Sequence, residues 1–250
     1  MIYFVGAGSG DKELITVKGA KLLSKADVII YTGSLINHEL LEFAKEDAKT
    51  YNSAYLNLDE VCDIFMESEK AGLMTVRLHT GDMSLYGAVK EQYDFLSSHN
   101  ISFEVVPGVS SFLAAAASLK AEYTLPGVSQ SVVITRYPGK TKTPDGEFEK
   151  LAAIGCSMAI FLSMNLIDEV SKSLIDGGAF SENSPAAIVY KASWKDEKII
   201  RCHVGNLGDS ARKNGITKTS LIVVGRFLDS DYELSKLYDR NFETEFRKVK

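Results

Sequence analysis

Three cysteines, Cys62, Cys156 and Cys202, are all that this chain carries, odd in number and far apart. Without a Cys-x-x-Cys pair they supply neither a disulfide framework nor a zinc site, so no metal held by the protein is expected and a reduced cytosol suits them. Positive charge is also in short supply, with 28 Lys and Arg against 33 Asp and Glu for a net charge of −5. Binding to a phosphate backbone draws on clustered cations that release counterions, so nucleic acid is not an expected partner. An anionic small molecule would have to be gripped by a few cations placed locally. No run of about 18 apolar residues occurs, which predicts no membrane span. Met1 leads straight into the strand-like Ile2-Tyr-Phe-Val5 without a basic segment and cleavage site, which predicts a cytoplasmic protein that is not exported. Repeats and low-complexity tracts are missing as well.

What is present is an ordinary globular composition, 45% apolar and 24% charged, in 250 residues that suit one large or two ordinary domains. Ile2 to Val5, Asp27 to Tyr31, Met74 to His79 and Phe103 to Val106 read as strands. Between them Thr16 to Lys25, Asn37 to Lys45, Asp59 to Ala71 and Val89 to Ser97 read as helices, with Ser111 to Ala121 a small-residue helix after them. This alternation predicts a parallel sheet covered by helices. The Pro-Gly break inside Glu122 to Ser129 marks the link to a second domain. There Ser131 to Arg136, Ser157 to Leu162, Ala186 to Tyr190, Lys198 to His203 and Thr219 to Val224 read as strands, with helices near Phe148 to Ile154 and over Asp168 to Asp176. Several are joined by short turns, so the second sheet is expected to be mixed. The fold class is therefore α/β, with a parallel-sheet domain over 1–121 and a mixed-sheet domain over 122–250. In the segment Tyr232 to Lys250, Tyr238, Phe242 and Phe246 recur at the four-residue spacing of a helix face.

Two glycine turns carry the chemistry: Arg77-Leu-His-Thr-Gly-Asp-Met-Ser-Leu-Tyr-Gly87 and Val105-Val-Pro-Gly-Val-Ser-Ser-Phe112. Each follows an apolar strand, which puts both at one edge of a parallel sheet, where open α/β sheets bind ligands. A third, Val5-Gly-Ala-Gly-Ser-Gly-Asp11, looks like a dinucleotide fingerprint, but its spacing is Gly-x-Gly-x-Gly. Tyr31-Thr-Gly-Ser34 stands where an acid for the ribose would be expected. Other signatures fail: Ile134 occupies the place of the first glycine of a phosphate loop ending at Gly139-Lys-Thr141, and Gly108-Val-Ser-Ser-Phe112 lacks the second glycine of a nucleophile elbow. Cys202 and His203 would point to opposite faces of one strand. Among the histidines only His79 is placed for chemistry.

The combination of the three glycine turns with Ser184-Pro-Ala-Ala-Ile-Val-Tyr190 resembles the tetrapyrrole methylases over almost the whole chain. Tyr31-Thr-Gly-Ser-Leu35, Leu125-Pro-Gly-Val-Ser-Gln130 and Ala192-Ser-Trp194 are most similar to the members that methylate carbon 11 of a corrin precursor. Gly81-Asp-Met-Ser84 stands where the first enzyme of that branch would show Gly-Asp-Pro-Phe. The resemblance implies an S-adenosylmethionine-dependent methyltransferase, a donor folded into a cleft between two α/β domains, and a homodimer. It carries the donor site onto Gly81, Asp82, Leu85, Ser110, Ser111, Met164 and Ala192.

A sulfonium methyl is already activated, so aligning it with an electron-rich ring carbon and excluding water is the main task. Asp11 and His79 are candidates for a base that removes a proton afterwards. The carboxylate-rich substrate calls for cations, for which Lys12, Arg136, Lys140 and Lys142 are candidates. A sister methylase acting at another ring carbon, a dinucleotide-dependent oxidoreductase and a non-catalytic corrinoid-binding protein remain alternatives.

Overall fold

The computed structural model describes residues 1–139, 143–229 and 231–248. They form two compact units, one of Met1–Ala114 with Lys191–Glu197, the other of Ala115–Tyr190 with Lys198–Lys250. Among the described residues no helix is long and apolar enough to cross a membrane.

The first unit is built on a five-stranded, all-parallel sheet. In chain order its elements are β1 (Ile2–Gly6), α1 (Val17–Leu23), β2 (Val28–Tyr31), β3 (Lys49–Asn52), α2 (Leu58–Lys70), β4 (Thr75–His79), α3 (Lys90–Ser98) and β5 (Phe103–Val106). The strand order is β3-β2-β4-β1-β5. Successive side chains of a strand point to opposite faces, and here both faces are apolar, as a sheet covered on both sides requires. Val5, Ile29, Val76 and Leu78 pack with Leu23, Ile36 and Leu40 on one face. Ile2, Phe4, Val28 and Ile30 pack with Phe65 and Leu96 from α2 and α3 on the other. Helix α2 starts at a capping box, where Asn57 Oδ1 accepts the Glu60 N–H at 2.9 Å and Glu60 Oε2 accepts the Asn57 N–H at 2.7 Å.

Two details differ from the sequence expectation. The stretch read as a helix over Asn37 to Lys45 is a 3-10 helix, His38–Phe43, capped by Asn37. Strand β3 was not foreseen, because Lys49-Thr-Tyr-Asn52 is an edge strand, exposed or half-buried, with no apolar run to betray it.

Helix α4 (Ser111–Leu119) begins in the first unit and ends in the second. The second unit then runs β6 (Val132–Arg136), α5 (Glu147–Ala152), β7 (Ser157–Phe161), α6 (Ile167–Asp176), β8 (Pro185–Tyr190), β9 (Lys198–His203), α7 (Leu207–Lys213) and β10 (Ser220–Val224). Its sheet has the order β6-β7-β10-β8-β9, with β6 and β7 parallel and the other neighbours antiparallel. The mixed sheet expected from short connections is what forms. Met158, Ile160, Ile188, Ile222 and Val224 pack against Phe148, Val170, Leu174 and Leu207 from the helices.

The four-residue aromatic spacing near the end of the chain does not become an α-helix. The ordered turn there is a 3-10 helix, Lys236–Tyr238, and Arg247 Nη2 donates to the carbonyls of Leu237 (2.7 Å), Asp239 (2.8 Å) and Phe242 (3.0 Å). Tyr238 and Phe246 are 83% and 93% exposed, so no apolar face is buried to stabilise a helix, which in proteins depends on such packing.

Candidate active site

Three turns leave the carboxyl ends of β1, β4 and β5, and glycine lets them approach one another more closely than side chains would allow. A Cβ on Gly108 would lie 2.2 Å from the Gly81 carbonyl oxygen, and one on Gly6 would lie 2.5 Å from the Gly108 nitrogen. The first and second turns are also bridged, with the Gly81 N–H donating to the Gly8 carbonyl at 2.8 Å and the Ala7 N–H to the His79 carbonyl at 2.7 Å.

The first turn is covered from its other side. The Trp194 indole lies over Gly10, where a Cβ would come within 2.2 Å of Cδ1, and its Nε1 donates to the Ser9 carbonyl at 2.9 Å. Ser193 Oγ meets Ser9 Oγ at 2.9 Å and accepts the Asp11 N–H at 3.1 Å. The glycines of Val5-Gly-Ala-Gly-Ser-Gly-Asp11 are therefore used for packing within the protein. This counts against the dinucleotide-dependent alternative, which needs those glycines to open the backbone to a pyrophosphate.

Asp82 ties the second turn to the third. Its Oδ2 accepts the Gly108 N–H at 2.8 Å, and its Oδ1 accepts the Ser84 N–H at 2.9 Å as well as the Ser84 hydroxyl. Partial burial pushes the carboxyl up, but these donors together outweigh it and hold Asp82 below the ordinary aspartate value. Beside this staple opens a mostly apolar pocket of about 520 Å³, whose lining includes Asp82, Leu85, Tyr93, Gly108, Ser110 and Phe112. Its size and its mixture of apolar walls with a few polar groups suit a small-molecule site. An adenosyl group needs apolar surface for its base and main-chain donors and acceptors for its edge, and the residues present fit that need.

Of the residues expected to hold the donor, Asp82, Leu85 and Ser110 line this pocket, and Gly81 and Ser111 adjoin them in the chain. Ala192 is buried in the 191–197 segment of the same unit. Met164 is buried in the second unit, at the start of a 3-10 helix that follows β7. Sequence reasoning missed Val89 at the N-cap of α3, Tyr93 on α3 and Val105 on β5, which reach the pocket only through the tertiary fold. Phe112 carried a signal, since it directly follows Ser110 and Ser111.

Of the two base candidates, Asp11 serves as a cap and His79 is buried. Asp11 Oδ1 accepts the Glu13 N–H at 2.9 Å as a helix cap. His79 is buried and outside the pocket lining, with Nδ1 lacking a hydrogen-bond partner, as does Oγ1 of the neighbouring Thr80. Burial, then the charge of Arg77, lower its pKa, so the neutral imidazole is favoured. Arg77 is itself buried, and desolvation pulls it down to about 10. Lys12 is held by Glu42 at 2.8 Å and Glu39 at 3.5 Å. Arg136 ends β6 in the second unit. Lys140 and Lys142 lie outside the described residues.

Comparison with known proteins adds to this geometry. Residues 1–208 match the family model for Tetrapyrrole (Corrin/Porphyrin) Methylases. The cobalt-precorrin-4 C(11)-methyltransferase of Methanocaldococcus jannaschii is 53% identical over 249 residues, covering 99% of this chain and 96% of its own. The X-ray structure of a cobalamin biosynthetic enzyme, cobalt precorrin-4 methyltransferase, superposes with a TM-score of 0.89 at 43% identity, covering 92% of this chain and 96% of that one. A uroporphyrin-III C-methyl transferase from Thermus thermophilus, complexed with S-adenyl homocysteine, shares the fold with a TM-score of 0.75 at 24% identity, covering 91% and 93%.

Proposed function

The chain belongs to the tetrapyrrole methylases, and from that premise we propose that it transfers a methyl group from S-adenosylmethionine to carbon 11 of cobalt-precorrin-4. The observation that carries this reading is 53% identity to a cobalt-precorrin-4 C(11)-methyltransferase across 99% of the chain. When bound, the sulfonium supplies a methyl group that needs no further activation, so no nucleophile or covalent intermediate is demanded of the protein.

What the chain's own residues contribute is placement and exclusion of water. Gly81, Asp82, Leu85, Ser110 and Ser111, from the second and third turns, are assigned to the donor, with Ala192 and Met164 completing its surroundings. Asp82 acts there through the main chain it orders, because its carboxylate oxygens already accept from Gly108 and Ser84. Arg136 is the cation assigned to the substrate carboxylates, as a guanidinium is suited to paired hydrogen bonds with them. Lys12 takes that role only by leaving its two glutamates. Neither Asp11 nor His79 is assigned a proton, since each is occupied by structure or buried.

This reading includes a homodimer working in the cytoplasm. The exposed Leu237, Tyr238 and Phe246 support a second copy as cover, and a monomeric sedimentation mass would remove that part. The decisive experiment is incubation with methyl-labelled S-adenosylmethionine and either cobalt-precorrin-4 or the metal-free precursor, with the label located by NMR. Label on carbon 11, formed faster with cobalt present, is expected. Label on another ring carbon would assign the chain to a sister reaction, and tight corrinoid binding without transfer would make it a binding protein.

A further inference from the structure

At one end of the second sheet a leucine stands in a conformation and an environment that each disfavour it. Leu162, directly after β7, has a φ of 53° and is 67% exposed. The left-handed region crowds a Cβ against the backbone, and an exposed isobutyl group recovers nothing by burial. The chain meets this demand with glycine at Gly72, Gly146, Gly178 and Gly215, where an added Cβ would touch nothing, and with other side chains at positions such as Asn100, Lys120 and Thr219; among the positive-φ residues Leu162 joins a branched apolar side chain to high exposure. At Leu162 the side chain is kept although glycine would relieve the backbone. Backbone strain of this kind collects at functional sites.

The turn is enforced from beneath. Ser163 is buried, its Oγ donates to the Phe161 carbonyl at 2.6 Å and accepts the Tyr137 N–H at 2.8 Å, so the ends of β6 and β7 are tied and Leu162 is held outward. Arg136 lies opposite Phe161 in the parallel register. On the other side of β7, the antiparallel β10 is preceded by Thr219, also strained, with a φ of 55°. An exposed apolar group and a guanidinium thus sit at neighbouring strand ends.

We propose that Leu162 is a specificity-determining residue, whose exposed side chain packs on the apolar face of the tetrapyrrole while Arg136 meets its carboxylate rim. The inference rests on the methyltransferase reading above. Leu162→Ala removes the side chain and keeps the strain, whereas Leu162→Gly removes both. In both variants the KM for cobalt-precorrin-4 is expected to rise about tenfold, as losing the burial of a leucine side chain implies, with the Kd for S-adenosylhomocysteine changed by less than about twofold. The glycine variant is expected to melt at or above the wild-type temperature, an outcome that a core-packing leucine would not give. Unchanged KM in both variants, or a donor Kd that rises in step with KM, would overturn the proposal. If the wild-type protein binds S-adenosylhomocysteine but methylates no tetrapyrrole, the methyltransferase reading fails first and takes this assignment with it.

Discussion

Asp82 is the residue through which two glycine turns become one surface, since a single carboxylate accepts from Ser84 in its own turn and from Gly108 in the next. Asp82→Ala would leave the Gly108 N–H without its acceptor. A loss of about 1–3 kcal/mol in urea denaturation is expected, together with weaker binding of S-adenosylhomocysteine by calorimetry. Gly108→Ala sets a methyl group against the Gly81 carbonyl oxygen, and neither backbone can yield without pulling its strand. Destabilisation of at least about 2 kcal/mol is expected, and a fully stable Gly108→Ala protein would contradict the close approach. His79 adds a pH dependence. Its pKa is lowered in the folded state, so the unfolded chain takes up the proton first, and stability falls as pH drops below about 6.5, the ordinary histidine value. Denaturation midpoints measured between pH 7.5 and 5.5 should slope downward in the wild type and flatten in His79→Gln. At this scale Gly81, Asp82, Leu85 and Ser110 were named through the resemblance to the family, and Asp82, Leu85 and Ser110 line the pocket. Tyr93 was not named, because nothing near a helical tyrosine says which loop its ring will face.

Among the elements, the strands with buried apolar runs were legible to within a residue or two, as with Ser157–Phe161 and Ser220–Val224. Of the half-exposed elements, Lys198–His203 was legible from its Ile-Ile pair, but two others were not. Strand β3 offers Lys49-Thr-Tyr-Asn52, and α7 begins Leu-Gly-Asp-Ser, a composition that reads as a turn until Leu207, Gly208 and Ala211 are seen to be buried. The aromatic spacing of the last segment misled in the opposite direction, since periodicity without a surface to bury against does not make a helix. None of the described residues after Asp229 is buried within the subunit, so ending the chain at Leu234 removes only the cover proposed for a second copy, and a melting temperature that falls and loses its dependence on protein concentration is expected. An unchanged melting temperature would show that this segment is uncovered in solution.

For the whole molecule, the backbone passes between the two units three times, at 114–115, 190–191 and 197–198. The middle excursion brings Trp194 onto Gly10, and the chain contains no other tryptophan. Its emission therefore reports on the first glycine turn alone. Since the strap is continuous with β8 and β9, loss of the second sheet and release of Trp194 should coincide in urea, with fluorescence and far-UV circular dichroism sharing a midpoint. Fluorescence leading by about 1 M would show the strap letting go by itself. Trp194→Ala is expected to cost about 2 kcal/mol, less than a fully buried tryptophan because the ring is only half covered.

The lacing of Gly8 to Gly81 and of Gly108 to Asp82 has a further thermodynamic corollary. A rim already stitched together before any visitor arrives has little disorder left to surrender, so docking there should proceed with a modest entropic penalty and with arrival rates governed by diffusion and access.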